Sequence, residues 1–234
     1  TLHRSGDAMI VELEAAGDPL TAGASLHWLE TTAGAFERAV DVAALCRRAA
    51  TAFRALTGFD RVMIYRFLDD DAGRVVAEDS DPAIGSFLNH HFPATDIPRQ
   101  ARALYIRNRT RAIPDIGYTP QPIRPAAYRD TDLSDVATRS VSPLHIQYLH
   151  NMGVGASASI SIVKDGQLWG LVACHHREPR LMPREIRLTA STLAGIFARQ
   201  VRAKEDANAY RERLRLSSAA DAILPIITGA RGLR

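Results

Sequence analysis

Between Arg139 and Tyr148 the sequence gathers a guanidinium, two hydroxyls, an imidazole and a phenol, in Arg139-Ser-Val-Ser-Pro-Leu-His145 and the turn that follows. Guanidinium forks pair with carboxylates two bonds at a time, and hydroxyls with imidazole add further hydrogen bonds. Arg107, Arg109 and Arg111 precede this stretch; one belongs with the cluster and two with a solvated face. Ser157, Ser159 and Ser161 alternate along one strand, where small hydroxyls either leave room for a ligand or form an ordinary wet face. Asp96, in Phe92-Pro-Ala-Thr-Asp-Ile-Pro98, has two readings: a helix-capping carboxylate, or a group whose side chain and carbonyl face a bound cation. His175 and His176 end an apolar run, Trp169 to His176, and neighbours on a strand point to opposite faces. One imidazole then lies in a pocket wall and the other outside, and the pair cannot share a metal ion. Together these groups describe a pocket with arginines and hydroxyls for carboxylates, aromatics for a flat apolar body, and Asp and His for ring nitrogens. The ligand this suits is large, conjugated and armed with acids.

Several other chemistries are excluded by what the chain lacks. There is no Gly-x-Ser-x-Gly elbow, and Cys174 sits in an apolar run where a thiol is inert. Neither nucleotide-binding glycine motif occurs, nor any His-x-x-x-His or Cys-x-x-Cys spacing, so no metal is expected. The 234 residues carry a net charge of +3, 46% hydrophobic and 24% charged residues, a balance able to bury a core. Charge is uneven: residues 1–98 are net acidic and 99–234 net basic. The basic residues are scattered arginines with only two lysines, Lys164 and Lys204. That is not a nucleic-acid surface, and none is expected. No apolar run approaches the ~18 residues of a membrane span and no signal peptide opens the chain, so a cytoplasmic setting is expected.

The elements that position these groups follow from periodicity. Asp7 to Glu14 alternates as a lone strand that needs an earlier partner, broken at Gly17-Asp-Pro19 and followed by a linker to about residue 33. Apolar spacing from Phe36 to Leu56 gives a helix ending at Gly58. Arg61–Phe67 and Gly73–Glu78 form a hairpin around Asp69–Asp71. A helix over 94–107 has Thr95 or Asp96 as its cap and Pro98 in its first turn. Residues 112–138, rich in proline, form a long irregular segment of the functional kind. A short helix, Ser142 to Asn151, is followed by strands Ala156–Val163 and Gln167–His175 around Lys164-Asp-Gly166. A long helix from Pro183 to Leu216 places Leu193, Gln200, Ala207 and Leu214 at seven-residue spacing. The class is α+β: an antiparallel sheet flanked by helices.

At this point the chain resembles the bacterial phytochromes. The likeness rests on Phe59–Phe67 (FDRVMIYRF), Pro93–Pro98 (PATDIP), Arg139–Leu149 (RSVSPLHIQYL), Asn151–Val154 (NMGV) and Leu168–His176 (LWGLVACHH), all in family order. It implies the end of a PAS domain over residues 1–20, a GAF domain over 34–205, and a connecting helix opening a PHY domain over 206–234. It further implies a linear tetrapyrrole, biliverdin, in the GAF pocket, with the Asp96 carbonyl and His145 near the pyrrole nitrogens. Arg111 and Arg139 match propionate-pairing arginines, and Tyr105, Ser142, Ser157 and Ser159 match further propionate contacts, joined by His145. Tyr65, Phe92 and Tyr148 match the aromatic wall at the D ring, His175 the donor to that ring's carbonyl, and Ile97 and Met152 the packing on ring faces.

The resemblance also carries expectations beyond the pocket. The long helix becomes a parallel homodimer seam, and the output module a histidine kinase, with no catalysis in this segment itself. Bacterial relatives attach pigment through a cysteine before the PAS domain; plant and cyanobacterial ones use a cysteine beside the pocket histidine, where Leu144 stands here. Cys46 and Cys174 match neither, so no covalent attachment is expected within these residues. The competing reading is a GAF domain that senses a small molecule such as a cyclic nucleotide.

Overall fold

A computed structural model describes residues 1–14, 21–137 and 139–229. The alternation expected over Asp7–Glu14 forms one strand, β2 (Ala8–Val11), and the preceding residues supply β1 (Leu2–Ser5), which pairs with it antiparallel, so the expected lone strand has its partner within the chain. The expected break at Gly17–Pro19 lies outside the described residues. What composition suggested was a linker is a helix, α1 (Ala22–Glu37), opened by Thr21, whose hydroxyl accepts from the Ala24 amide at 3.2 Å. The helix expected over 36–56 is therefore the end of α1 and a separate α2 (Val42–Thr57). Asp41 divides them, because its extended backbone lets its carboxylate accept from the Ala44 amide at 2.6 Å. Gly58 ends α2 in the left-handed region, as its position predicted.

Six strands form the main sheet; four belong to the two expected hairpins, and His91–Phe92 and Thr110–Ile113 are additional. β3 (Arg61–Phe67) and β4 (Gly73–Ser80) pair, and β5 (His91–Phe92) edges β4. A single 3-10 turn at Ala94–Asp96 precedes α3 (Arg99–Arg107), with Pro98 at the cap position and no side-chain cap. Neither Thr95 nor Asp96 caps this helix, because a residue before proline avoids the helical region and Ile97 sits at ψ 84°. β6 (Thr110–Ile113) opens the proline-rich stretch, which is otherwise irregular apart from a turn at Ala126–Tyr128. α4 (Pro143–Asn151), β7 (Ala156–Lys164), β8 (Gln167–His176) and α5 (Arg184–Gly229) complete the chain. Asp165 and Gly166 take positive φ between β7 and β8, which a two-residue hairpin of this twist requires.

The sheet order is β5-β4-β3-β8-β7-β6, antiparallel throughout. Alternation gives it two unlike faces. Val62, Ile64, Ala158, Ile160, Val172 and Cys174 point to one face and pack with α2 and α5 around Phe36, Phe53, Leu193 and Phe197, all buried. Phe36 and Trp169 both meet Phe197 edge-on, at 5.9 and 6.0 Å. Burying each such ring is worth roughly 1.5–3 kcal/mol.

α5 runs 46 residues, beyond the expected Leu216. Ala190, Leu193, Ala194, Phe197, Ala198 and Val201 are consumed by the core. Leu193, expected in an intermolecular seam, is thus buried within the chain, and only later positions such as Tyr210, Leu214 and Leu216 remain exposed. Where α5 leaves the body, Glu205 is held by Lys164, by the Trp169 indole N–H at 3.2 Å, and by Arg66 at 3.6 Å. No described helix is long and apolar enough to cross a membrane.

Candidate functional site

The second face of the sheet is the floor of a cavity of about 770 Å³. Pairing register lays the floor out in rows. Ile113, Ser157, His175 and Arg61 stand side by side across β6, β7, β8 and β3; Arg111, Ser159, Ala173 and Met63 form the next row; Ser161, Leu171 and Tyr65 the third. α3, α4 and the segments 92–98 and 139–142 form the walls. All fourteen residues singled out in the sequence line this one cavity: Tyr65, Phe92, Asp96, Ile97, Tyr105, Arg111, Arg139, Ser142, His145, Tyr148, Met152, Ser157, Ser159 and His175.

One end is cationic. Arg111 donates from Nη2 to the Arg139 carbonyl at 3.0 Å, and Arg139 from Nη1 to the Val136 carbonyl at 2.9 Å. The Val141 amide donates to the Tyr118 hydroxyl at 2.8 Å, which pins the intervening loop. Arg111 Nη1 is buried with no partner. Desolvation, and then the neighbouring Arg139, lower the Arg111 pKa to about 10. A buried guanidinium with an unused donor beside a second cation is suited to an anion. Ser159 and the Tyr105 phenol bond to each other beside them. Ser142 occupies the cap position of α4 without capping it, which leaves its hydroxyl to the cavity.

The other end is aromatic. Tyr65 meets Phe67 at 5.3 Å and Phe92 at 5.8 Å. Its hydroxyl reaches Gly73 so closely that a Cβ there would lie 1.7 Å away, so this packing requires glycine. Burial raises the Tyr65 and Tyr148 phenols to about 12, and the Asp96 carboxylate adds to both shifts. Asp96 and Tyr148 share a hydrogen bond, a role open to Asp96 because it caps nothing. The Tyr148 and His145 rings lie parallel, 13° apart with centroids at 6.3 Å. Burial, then Arg111, depress the His145 pKa. His175 is buried, and desolvation, Arg61 and His145 lower its pKa to about 3. It is a neutral imidazole at physiological pH.

The remaining candidates disperse. His176 faces away from the cavity and meets Asp60 at 3.1 Å. Ser161 spends its hydroxyl on the Tyr105 carbonyl at 2.7 Å. Arg107 pairs with Asp135 and Arg109 is exposed. Cys46 and Cys174 are buried away from the cavity, and burial pushes both thiols to about 12. Among the described residues no group of three or more His, Cys, Asp or Glu could hold a metal ion. Sequence reasoning missed, among others, Met63, Val75, Leu171 and Ala173, which add to the apolar lining. The alternation that placed Tyr65 and His175 on one face could have found three of them. It also missed Arg102, which donates to the Ile97 carbonyl at 3.0 Å and to Asp71 at 2.5 Å while covering the Phe67 ring, and so fixes the turn carrying Asp96. Its signal, an arginine in an ordinary helix, is indistinct.

Comparison with known proteins gives one family. The GAF domain profile matches residues 41–201. The chain is 46% identical over 182 residues to a bacteriophytochrome of Pseudomonas aeruginosa, covering 76% of this chain and 25% of that protein. It is 40% identical over 222 residues to cyanobacterial phytochrome B of Nostoc, covering 92% of this chain and 30% of that one. It thus spans about a quarter to a third of the length of these curated relatives. Among solved structures, the chromophore-binding domain of an R. palustris bacteriophytochrome superposes with a TM-score of 0.82 at 40% identity, covering 89% of this chain and 70% of that one. The photosensory core module of the Stigmatella aurantiaca phytochrome gives 0.87 at 41%, covering 95% and 45%.

Proposed function

Because this chain belongs to the phytochrome family and carries its GAF domain, we propose that it is the pigment-binding part of a red/far-red light receptor and that its ligand is biliverdin. The observation that carries this reading is the unpartnered, buried Arg111 Nη1 beside Arg139, at the opposite end of the cavity from Tyr65, Phe92 and Tyr148. Two guanidiniums suit two propionates, and charged hydrogen bonds in a dry site are strong. The bound pigment supplies light absorption and isomerisation at its D-ring methine.

The chain's own residues do the rest. Tyr105, Ser142, Ser157 and Ser159 add hydroxyls to the acidic arms. His145 and the Asp96 carbonyl accept from pyrrole N–H groups, and Ile97 and Met152 press on the ring faces. Tyr65, Phe92 and Tyr148 enclose the D ring, and His175 donates to its carbonyl. The Asp96–Tyr148 hydrogen bond lies beside the place where the pigment would isomerise, and a change in that bond would be a local switch able to bias α5. Residues 1–20 end a PAS domain, 34–205 are the GAF domain, and 206–234 open a PHY domain. The exposed later part of α5 pairs with a second copy, and the whole receptor works in the cytoplasm through an output module such as a histidine kinase.

Mixing the protein with biliverdin tests the reading. The expected result is a red to far-red band that changes under red light; free-pigment absorption alone would overturn it. A cyclic-nucleotide sensor would give that second result and bind a labelled nucleotide instead.

A further inference from the structure

Arg61 is 2% exposed, on the cavity face of β3, directly across from His175 on β8. No carboxylate of the described residues pairs with it; Glu78 supplies opposite charge only at longer range. Its guanidinium donates instead from Nη1 to the Gly85 carbonyl at 2.6 Å and from Nη2 to Nδ1 of His175 at 2.9 Å, and lies 4.2 Å over the Phe87 ring. Guanidinium has donors and no acceptor, so Nδ1 of His175 must be the acceptor in this bond. A neutral imidazole that accepts at Nδ1 carries its proton on Nε2. A charged imidazole would set N–H against N–H and put two cations in contact.

We propose that Arg61 is a positioning residue that fixes His175 as the Nε2–H tautomer, so that the imidazole can donate to a ligand in the cavity but cannot accept from it. That end of the cavity then selects a carbonyl and rejects an N–H group, since an unmatched donor pair is costly when buried. The ligand role rests on the reading of His175 as the donor to a pigment carbonyl; the tautomer is measurable without pigment. The groups that bear on the His175 charge are Arg61 on β3 and His145 on α4.

Long-range proton–nitrogen correlation on histidine-labelled protein, with His175 assigned by loss of its signals in His175→Gln, provides the test. The expected parent spectrum shows Nε2–H alone between about pH 5 and 8. Arg61→Met is expected to give a tautomer mixture and a ring that charges nearer neutrality, and Arg61→Lys to return His175 to Nε2–H. A parent His175 that is Nδ1–H or charged in this range overturns the proposal, as does a folded Arg61→Met protein with unchanged nitrogen shifts. Should Arg61→Met fail to fold, the parent and Arg61→Lys spectra decide. Absence of a biliverdin band in the parent would remove the ligand reading, whereas the nitrogen shifts alone decide the tautomer.

Discussion

The two faces of the central sheet are built by alternate residues of the same strands and obey opposite rules. On the helix side, Ile64, Ile160 and Val172 are fully buried in one cluster with Phe36 of α1 and Phe197 of α5. On the cavity side, Arg61, Tyr65, Ser157, Ser159 and His175 occupy the intervening positions. The helix face of the sheet presents apolar side chains that pack into one buried cluster. The cavity face holds two guanidinium nitrogens with no partner, Nη1 of Arg111 and Nε of Arg61, and an imidazole held far below its ordinary pKa. Native interiors satisfy their polar groups, so the difference marks one face as stabilising the fold and the other as the face whose polar groups suit a ligand.

The contrast is open to attack from both sides. Phe197→Ala strikes the helix face, and a loss of roughly 3–5 kcal/mol of unfolding free energy is expected. Urea denaturation measures it; a loss under 1 kcal/mol would mean that the face is not the structural one. Arg111→Met strikes the cavity face. Pigment affinity is expected to fall by ~1.5–3 kcal/mol, about ten- to a hundredfold. The pigment-free protein should meanwhile change by less than about 1 kcal/mol, because relief of a desolvated charge offsets the lost bonds to the Arg139 and Ser140 carbonyls. Titration and denaturation of one preparation give both numbers.

Acid sharpens the comparison further. His175 titrates near 6.5 unfolded and about 3 folded, so between those values the unfolded chain binds more protons. Stability is full above the unfolded pKa and declines as pH falls, by at most about 1.4 kcal/mol per pH unit for this group. His175→Gln is expected to flatten that slope in denaturation series across this range. Ser142→Ala should cost least, within about 0.5 kcal/mol, because its hydroxyl caps nothing. Its effect is expected only on retention of pigment.

Residue chemistry made the cavity face legible. Arginine, serine, tyrosine and histidine at strand spacing announce a site whatever the tertiary contacts, and Ser157, Ser159 and His175 needed only the period of two. Arg61 and Met63 were not singled out, because Arg61–Phe67 reads as one strand of a hairpin and that reading does not say what lies on either face. Asp96 was ambiguous for a local reason. Its place before a helix favours a cap, and only the constraint that Pro98 puts on Ile97 removes that option. α1 was hidden by its small residues, Ala22-Gly-Ala-Ser25 among them, which resemble a linker until Phe36 and Trp28 find the core. The split at Asp41 was equally hidden, since the apolar spacing runs across it.

The attachment of Glu205 to Trp169, Lys164 and Arg66 has a mechanical meaning. Beyond that staple α5 runs roughly 36 Å to Gly229, at 1.5 Å per residue. It is a pointer pivoted on the strands that floor the cavity: β3 carries Arg66 and Tyr65, and β8 carries Trp169 and His175. A tilt of about 3° at the pivot sweeps the far tip through roughly 2 Å over that length. A shift too small to disturb packing near the pocket is thus delivered at the tip as a step of atomic size.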